Sequence, residues 1–110
     1  MKAVFDWEYD DIKFWHDDVK TFVRVLYTPN AKRPVRAATI YKNDGKHPYL
    51  QSNYGHINDG RYSAVIHTSI TLPQPRYKIF DTVEEAKSYA DDYINKLGYK
   101  TFPLHMKMLI

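Results

Sequence analysis

The stretch from residue 80 to residue 99 carries the start signal, the apolar stripe and the stop signal of one amphipathic helix. Asp81 and Thr82 each offer an N-cap oxygen, and Glu84 and Glu85 follow three residues later, as in a capping box. Apolar side chains then recur at helical spacing, at Val83, Ala86, Ala90, Tyr93, Ile94 and Leu97. The pattern predicts a helix that covers an apolar surface.

The predicted helix ends at Gly98. Glycine readily adopts the left-handed conformation that closes a helix, and Lys96 lies in the last turn, where basic residues are common. In that geometry Tyr99 lies two positions past the C-cap and contacts Ile94. The stop signal therefore predicts both a backbone conformation and a side-chain contact.

Alternating apolar and polar side chains predict strands before this helix. The segments are residues 3–9, 20–28, 35–42 and 61–68, with residues 49–54 as a candidate return strand, and the short segment 77–80 leads into the helix. They are separated by turn signals, namely the Pro-containing loop 28–34, Asn43-Asp44-Gly45, Asn58-Asp59-Gly60, and Pro73 with Pro75. Residues 10–18 match neither a helix nor a strand clearly, and both alternatives stay open.

The same alternation assigns side chains to the two faces of a sheet. In residues 3–9, Val4 falls on the face that carries the acidic side chains. In residues 35–42, Arg36 falls on the same face as Ala38 and Ile40. His67 alternates with apolar neighbours, so we expect a partly buried strand residue there rather than a metal ligand.

The chain is expected to form one α+β domain over residues 1–110: an antiparallel β-meander sheet of about four to five strands, covered by one C-terminal helix. Its length of 110 residues suits a single domain. The tail ends in Leu109-Ile110, which is either part of a last docked strand or a contact in a homo-oligomer.

Several function classes find no support in the residue pattern. The chain has no cysteine, which excludes disulfides and thiolate chemistry. Its four glycines do not cluster as a phosphate loop requires, and its histidines lie too far apart for a local zinc-ligand pair. We therefore predict no catalytic residue, no cofactor and no metal site. No signal peptide or membrane-spanning run is present, so we expect a cytoplasmic protein without a membrane partner.

Charge is distributed unevenly along the chain. Residues 19–78 hold ten Lys and Arg against two Asp, a net charge of +8, while residues 1–18 carry −4. Cations with interleaved aromatic rings are typical of single-stranded nucleic-acid binding, because cations contact phosphates and rings stack on bases. The candidate residues for such binding are Lys32, Arg33, Arg36, Tyr41, Lys42, Lys46, Tyr49, Tyr54, Arg61 and Tyr62.

Two functions follow as hypotheses. The first is a small intracellular binding or regulatory protein that recognises a protein partner through an aromatic-rich, charged surface, like the accessory proteins and inhibitors of phages and plasmids. The alternative is a single-stranded nucleic-acid-binding module using the basic middle of the sheet. The order of strands and helix is similar to that of ββββα units such as the whirly fold, which implies the same alternative; no motif residue carries over. An enzyme with an unrecognised site is the third hypothesis.

Overall fold

A computed structural model describes residues 2–9, 21–43, 59–71 and 74–108. Within these ranges the strands are β1 (Ala3–Phe5), β2 (Glu8–Tyr9), β3 (Thr21–Leu26), β4 (Val35–Lys42), β5 (Tyr62–Ile66), β6 (Arg76–Phe80) and β7 (Lys100–Phe102). One α-helix, α1, spans Val83–Lys96, and a 3-10 helix spans Leu104–Met108.

The strands form one mixed sheet in the order β6-β5-β4-β3-β1-β7, and β2 pairs with β3 off this path. The run from β3 to β6 is an antiparallel meander, as predicted, and α1 packs on it. The α+β class is therefore confirmed. The sheet is not purely antiparallel, because β7 returns after the helix and pairs in parallel with β1.

The segment predicted as one strand over residues 3–9 is divided into β1 and β2. Asp6 donates its backbone N–H to the carbonyl of Phe102 at 2.9 Å, and its carboxylate accepts from the N–H of Trp7 at 2.8 Å. Val4 is fully buried among the residues under α1, so its predicted position on a polar face is wrong. The reason is that both faces of β1 are covered, one by the cluster under α1 and the other by the cluster of Phe5, Val23 and Val25.

The caps of α1 agree with the prediction. The Thr82 hydroxyl accepts from the N–H of Glu85 at 3.2 Å. Gly98 has φ +85° and donates to the carbonyl of Asn95 at 3.0 Å, while Tyr99 donates to that of Ile94 at 3.4 Å. These two hydrogen bonds are the Schellman arrangement, and Tyr99 packs on the cluster that contains Ile94.

Small side chains set the contact between α1 and the sheet. The buried positions of the helix are Ala86, Ala90 and Ile94. They pack in clusters with the buried strand residues Ala37, Ala38, Ile40, Ala64 and Ile66. Three of these five are also alanines. Because the side chain of alanine is a single methyl group, the helix lies close to the sheet. A larger side chain at these positions would displace the helix.

A β-bulge interrupts β4. Arg24 of β3 lies opposite Ala38, whereas the next residue, Val25, lies opposite Arg36, so Ala37 is an extra residue. Val25 belongs to the cluster on the face away from α1, and Arg36 therefore shares that face. The predicted alternation, which grouped Arg36 with Ala38, is wrong at this point because a bulge reverses the side-chain direction.

Some predicted features lie outside the described residues: the structure of residues 10–18, the strand over 49–54, the turn at Asp44-Gly45, Pro73, and Leu109-Ile110. The antiparallel neighbour of β4 that follows it in the chain is β5. Gly60, in the second predicted turn, has φ +72°. None of the helices seen in the described ranges combines the length and the apolar character needed to span a bilayer.

Candidate functional site

Two hollows adjoin each other at the end of the sheet where the β3–β4 loop lies. The first has a volume of about 250 Å³ and is lined by Phe5, Val25, Leu26, Tyr27, Thr28, Pro29, Ala31, Lys32, Arg33 and Pro34. The second has a volume of about 570 Å³ and is lined by Arg33, Pro34, Val35, Arg36, His67, Thr68 and Ser69. Both include Arg33 and Pro34, and together we call them the loop groove.

Local sequence signals shape this loop. The carbonyl of Thr28 accepts from the N–H of Ala31 at 3.1 Å, which closes a turn around Pro29. Proline restricts the backbone at Pro29 and Pro34, the two prolines that bound this loop. Lys32 and Arg33 lie in this loop with exposed side chains. The β-bulge then carries Arg36 onto the face that bears Val25.

The opposite wall of the second hollow follows β5. The carbonyl of His67 accepts from the N–H groups of Ile70 and Thr71, each at 3.0 Å, and forms a tight turn. The Ser69 hydroxyl donates to the carbonyl of Arg36 at 2.6 Å and joins this turn to β4. Hydrogen bonds within the turn and a hydrogen bond to β4 therefore hold this wall in place.

His67 adds a ring but no charge to this wall. Its Nε2 lies 2.7 Å from the hydroxyl of buried Thr39. Burial, reinforced by the positive charge of Arg36, lowers the pKa of His67 to about 4. The imidazole is therefore neutral near pH 7, and the positive charge of the groove comes from arginine and lysine.

The predicted nucleic-acid-binding residues divide between two ends of the sheet. Lys32, Arg33 and Arg36 line the loop groove. Lys42, Arg61 and Tyr62 lie at the other end of β4 and β5. Lys42 lies six positions after Arg36 along the strand, which corresponds to about 20 Å. The structure therefore divides these six residues into two groups of three, one at each end of β4.

The remaining aromatic candidates are not displayed on one surface. Tyr41 is 1% exposed, so its ring offers no face on which a base could stack. Tyr62 is half-buried against the cluster of Ile40 and Ala64 under the helix. Lys46, Tyr49 and Tyr54 lie outside the described residues.

The end of the sheet that carries Lys42 has its own polar network. The Asp59 carboxylate accepts from the backbone N–H and the guanidinium of Arg61, and from the Asn43 side chain at 3.1 Å. These hydrogen bonds, led by that of the Arg61 backbone, lower the pKa of Asp59. The charge of Arg61 is therefore partly balanced within the protein.

Arg24 belongs to the basic middle of the sequence but not to its surface. It is 2% exposed and donates to the Phe5 carbonyl at 2.9 Å, to the Asp91 carboxylate at 2.8 Å and to the Thr101 hydroxyl at 2.7 Å. The indole of Trp7 donates to the same carboxylate oxygen at 2.9 Å. This cluster joins β3, α1 and β7, and its role is structural.

Sequence reasoning missed the apolar part of the groove and its His67 wall. A signal for the former was present, because Val25, Leu26 and Tyr27 run directly into a loop bounded by two prolines. No signal placed His67 and Ser69 beside Arg36, since that contact depends on strand pairing. Across the described ranges, no three His, Asp or Glu side chains gather as a metal site requires.

The comparisons with known proteins give no relative. No protein-family model matches the chain, and neither a curated protein nor a solved structure matches it. The class of protein is therefore defined by the fold alone: a small α+β domain in which one helix packs on a mixed sheet.

Proposed function

We propose that this protein is a small binding protein that takes up an acidic segment of a partner protein in the loop groove. The observation that carries this proposal is the composition of the groove. Apolar side chains such as Val25 and Tyr27 line its first hollow, and Lys32, Arg33 and Arg36 flank them. The described lining residues include no acidic side chain, and the exposed cations Lys32 and Arg33 make this part of the groove complementary to negative charge.

A protein segment fits this lining better than a nucleic-acid strand does. Interfaces between proteins combine apolar and aromatic contact with arginine, and arginine binds carboxylates through two parallel hydrogen bonds. A nucleic-acid strand would need exposed rings along a basic track. The burial of Tyr41 and the distance between Arg36 and Lys42 weigh against such a track. Single-stranded nucleic acid is therefore the alternative that the experiment has to exclude.

The test is fluorescence anisotropy with three labelled probes: a 15-residue peptide of alternating Leu and Glu, the same peptide with Lys in place of Glu, and a single-stranded oligonucleotide. We expect the acidic peptide to bind, with affinity that decreases between about 50 and 200 mM salt. Preferential binding of the oligonucleotide would favour the alternative. Absence of binding to both anionic probes would refute the proposal.

Two double variants locate the binding surface. Arg33→Gln/Arg36→Gln removes two positive charges from the groove, and Lys42→Gln/Lys78→Gln removes two from exposed strand positions outside it. Because both lose the same net charge, long-range attraction changes equally. We expect the first variant to bind the acidic peptide about tenfold more weakly than the second. Equal affinities would place the peptide elsewhere.

The homo-oligomer contact expected of the C-terminal tail stays a prediction. Residues Lys100–Phe102 of this tail are docked within the chain as β7. Sedimentation equilibrium of the full chain tests the predicted homo-oligomer directly, since a dimer doubles the measured mass.

A further inference from the structure

We infer that the first hollow of the loop groove binds one aromatic side chain of the partner, with acidic residues of the same partner segment beside Lys32 and Arg33. This inference rests on the proposed function and names the partner residue that contributes most of the binding energy. Three observations carry it: the volume of the hollow, the packed rings that line it, and the charge of the loop that borders it.

The volume of the first hollow suits an aromatic ring. It measures about 250 Å³, whereas an apolar cavity of about 150 Å³ is sufficient to hold benzene. The side chain of phenylalanine ends in such a ring. Most of the described lining residues are apolar or aromatic: Phe5, Val25, Leu26, Tyr27, Pro29, Ala31 and Pro34. The hollow therefore has both the volume and the lining for one aromatic side chain.

The rings at the hollow favour an aromatic residue over an aliphatic one. Phe5 and Tyr27 line the hollow with their ring centroids 6.3 Å apart. Phe102 makes an edge-to-face contact with each of them, at 6.1 Å and 5.6 Å. Rings prefer such tilted and edge-to-face contacts, and a further ring that joins this group gains them in addition to burial. An aliphatic side chain gains burial alone.

Hydrogen bonds and burial order the hollow before a partner binds. The backbone N–H of Tyr27 donates to the carbonyl of Ala3 on β1 at 2.9 Å. Phe5 and Val25 are 6% and 7% exposed, and Tyr27 packs on the cluster that contains them. Few side-chain rotamers therefore remain to be fixed on binding, which lowers the entropic cost of association.

The loop that lines the hollow sets the charge of the partner. Lys32 and Arg33 line the hollow and are exposed, and no Asp or Glu is among the described lining residues. A partner with Asp or Glu next to its aromatic residue is attracted to this loop, and a basic partner is repelled. Exposed charges contribute more to selectivity than to affinity, so we assign most of the affinity to the ring.

The first test compares heptapeptides in a chemical-shift titration of the full chain. The parent peptide has a central Phe with two Asp on each side and a Gly at each end. We expect replacement of its Phe by Ala to weaken binding about tenfold or more, and replacement by Leu about fivefold. Equal affinities of the Phe and Leu peptides would overturn the aromatic assignment and with it the inference.

Intermolecular nuclear Overhauser effects locate the bound ring in the unmodified protein. We expect them between the Phe ring of the peptide and both the Ala31 methyl group and the Tyr27 ring, which line the hollow. Contacts only with residues outside the first hollow would overturn the inference. This measurement needs no variant, so its result does not depend on whether a substitution disturbs folding.

Two variants of Tyr27 test the contribution of the rings. Tyr27→Leu replaces the ring by an aliphatic side chain, and Tyr27→Phe, the matched control, removes only the hydroxyl. In Tyr27→Leu we expect the preference for Phe over Leu in the peptide to fall from about fivefold to below about twofold. In Tyr27→Phe we expect it to persist. An unchanged preference in both variants would contradict the inferred ring contact.

Lys32→Gln tests the position of the acidic residues. Lys42→Gln removes the same charge from an exposed position at the other end of β4 and is its control. We expect Lys32→Gln to bind the parent peptide about threefold more weakly than Lys42→Gln, with the same ratio between the Phe and Ala peptides in both. Equal affinities of the two variants would refute the placement of the acidic residues beside this loop.

The outcomes separate this inference from the proposed function. If the acidic peptide of alternating Leu and Glu binds in the loop groove but an aromatic residue adds no affinity, only the inference is refuted. If no acidic peptide binds at all, the proposed function is refuted as well.

Discussion

Arg24 and Asp91 form an ion pair, with 2.8 Å between Nη1 and Oδ1, in which the arginine side chain is 3% exposed and the aspartate side chain 37% exposed. The pair joins the middle of the sheet to the middle of α1. Because the buried partner is the arginine, loss of the carboxylate leaves a positive charge inside the protein with only neutral acceptors.

We therefore predict that Asp91→Ala lowers the free energy of unfolding by about 2 kcal/mol, less than for a fully enclosed pair, since water reaches the carboxylate side. Urea denaturation followed by tryptophan fluorescence measures it, and Trp7 reports directly because its indole donates to Asp91. Asp92→Ala, at an exposed position on the same helix, is the control. Equal stabilities of the two variants would contradict the structural role of the pair.

The second prediction concerns pH. The pKa of His67 is lowered to about 4 in the folded protein, against about 6.5 for an ordinary histidine. Between these values the unfolded chain binds more protons than the folded one, so stability falls as the pH is lowered from 6.5 towards 4. The full contribution of this histidine is up to about 3 kcal/mol.

NMR titration of the histidine rings measures this pKa. Burial is the larger cause of the shift and the charge of Arg36 is the smaller one, so Arg36→Gln is expected to raise the pKa of His67 only part of the way to 6.5. A pKa near 6.5 in the unmodified protein would show that the ring is not buried as described.

The third prediction tests the alanine interface. Ala90→Leu places a larger side chain where α1 packs on the sheet, and we expect a loss of about 2–3 kcal/mol in the free energy of unfolding. Ser88→Leu makes a change of comparable size on the exposed side of the same helix and serves as the control. Similar thermal midpoints for the two variants would mean that the interface accommodates larger residues.

The fourth prediction tests the end of α1. A Cβ atom at Gly98 would meet no heavy atom within 4 Å, so the expected source of any effect is the backbone angle of φ +85°. We expect Gly98→Val to lower the free energy of unfolding by about 1–2 kcal/mol, and Gly98→Asn by less, because asparagine tolerates this conformation. Thermal unfolding of both variants gives the comparison, and unchanged midpoints would remove the cap assignment.

The parts of the fold that could be predicted are those encoded locally. The helix was readable because Thr82 and Gly98 mark its ends, and β4 was readable from alternation within its own eight residues. The bulge at Ala37 and the parallel pairing of β1 with β7 were not, since both depend on partners distant in the chain. Burial of Arg24 could not be predicted for the same reason, because its carboxylate partner, Asp91, lies 67 residues away in the sequence.

The candidate site shows the same division. Charge and composition picked out Lys32, Arg33 and Arg36, which line the loop groove. They also picked out Tyr41, which is buried, and Lys42, which lies at the other end of its strand. A count of charges gives no distances, so one predicted surface corresponds to two separate places on the sheet.

The pairing of β1 with β7 has a consequence for synthesis of the chain. Val4 lies beside Thr101, so β1 receives its neighbour β7 only after nearly a hundred further residues have been made. Closing so long a loop is entropically costly and slow. Until residue 102 emerges, the edge of β1 that pairs with β7 is open in the nascent protein, so this part of the sheet can be completed only late in synthesis.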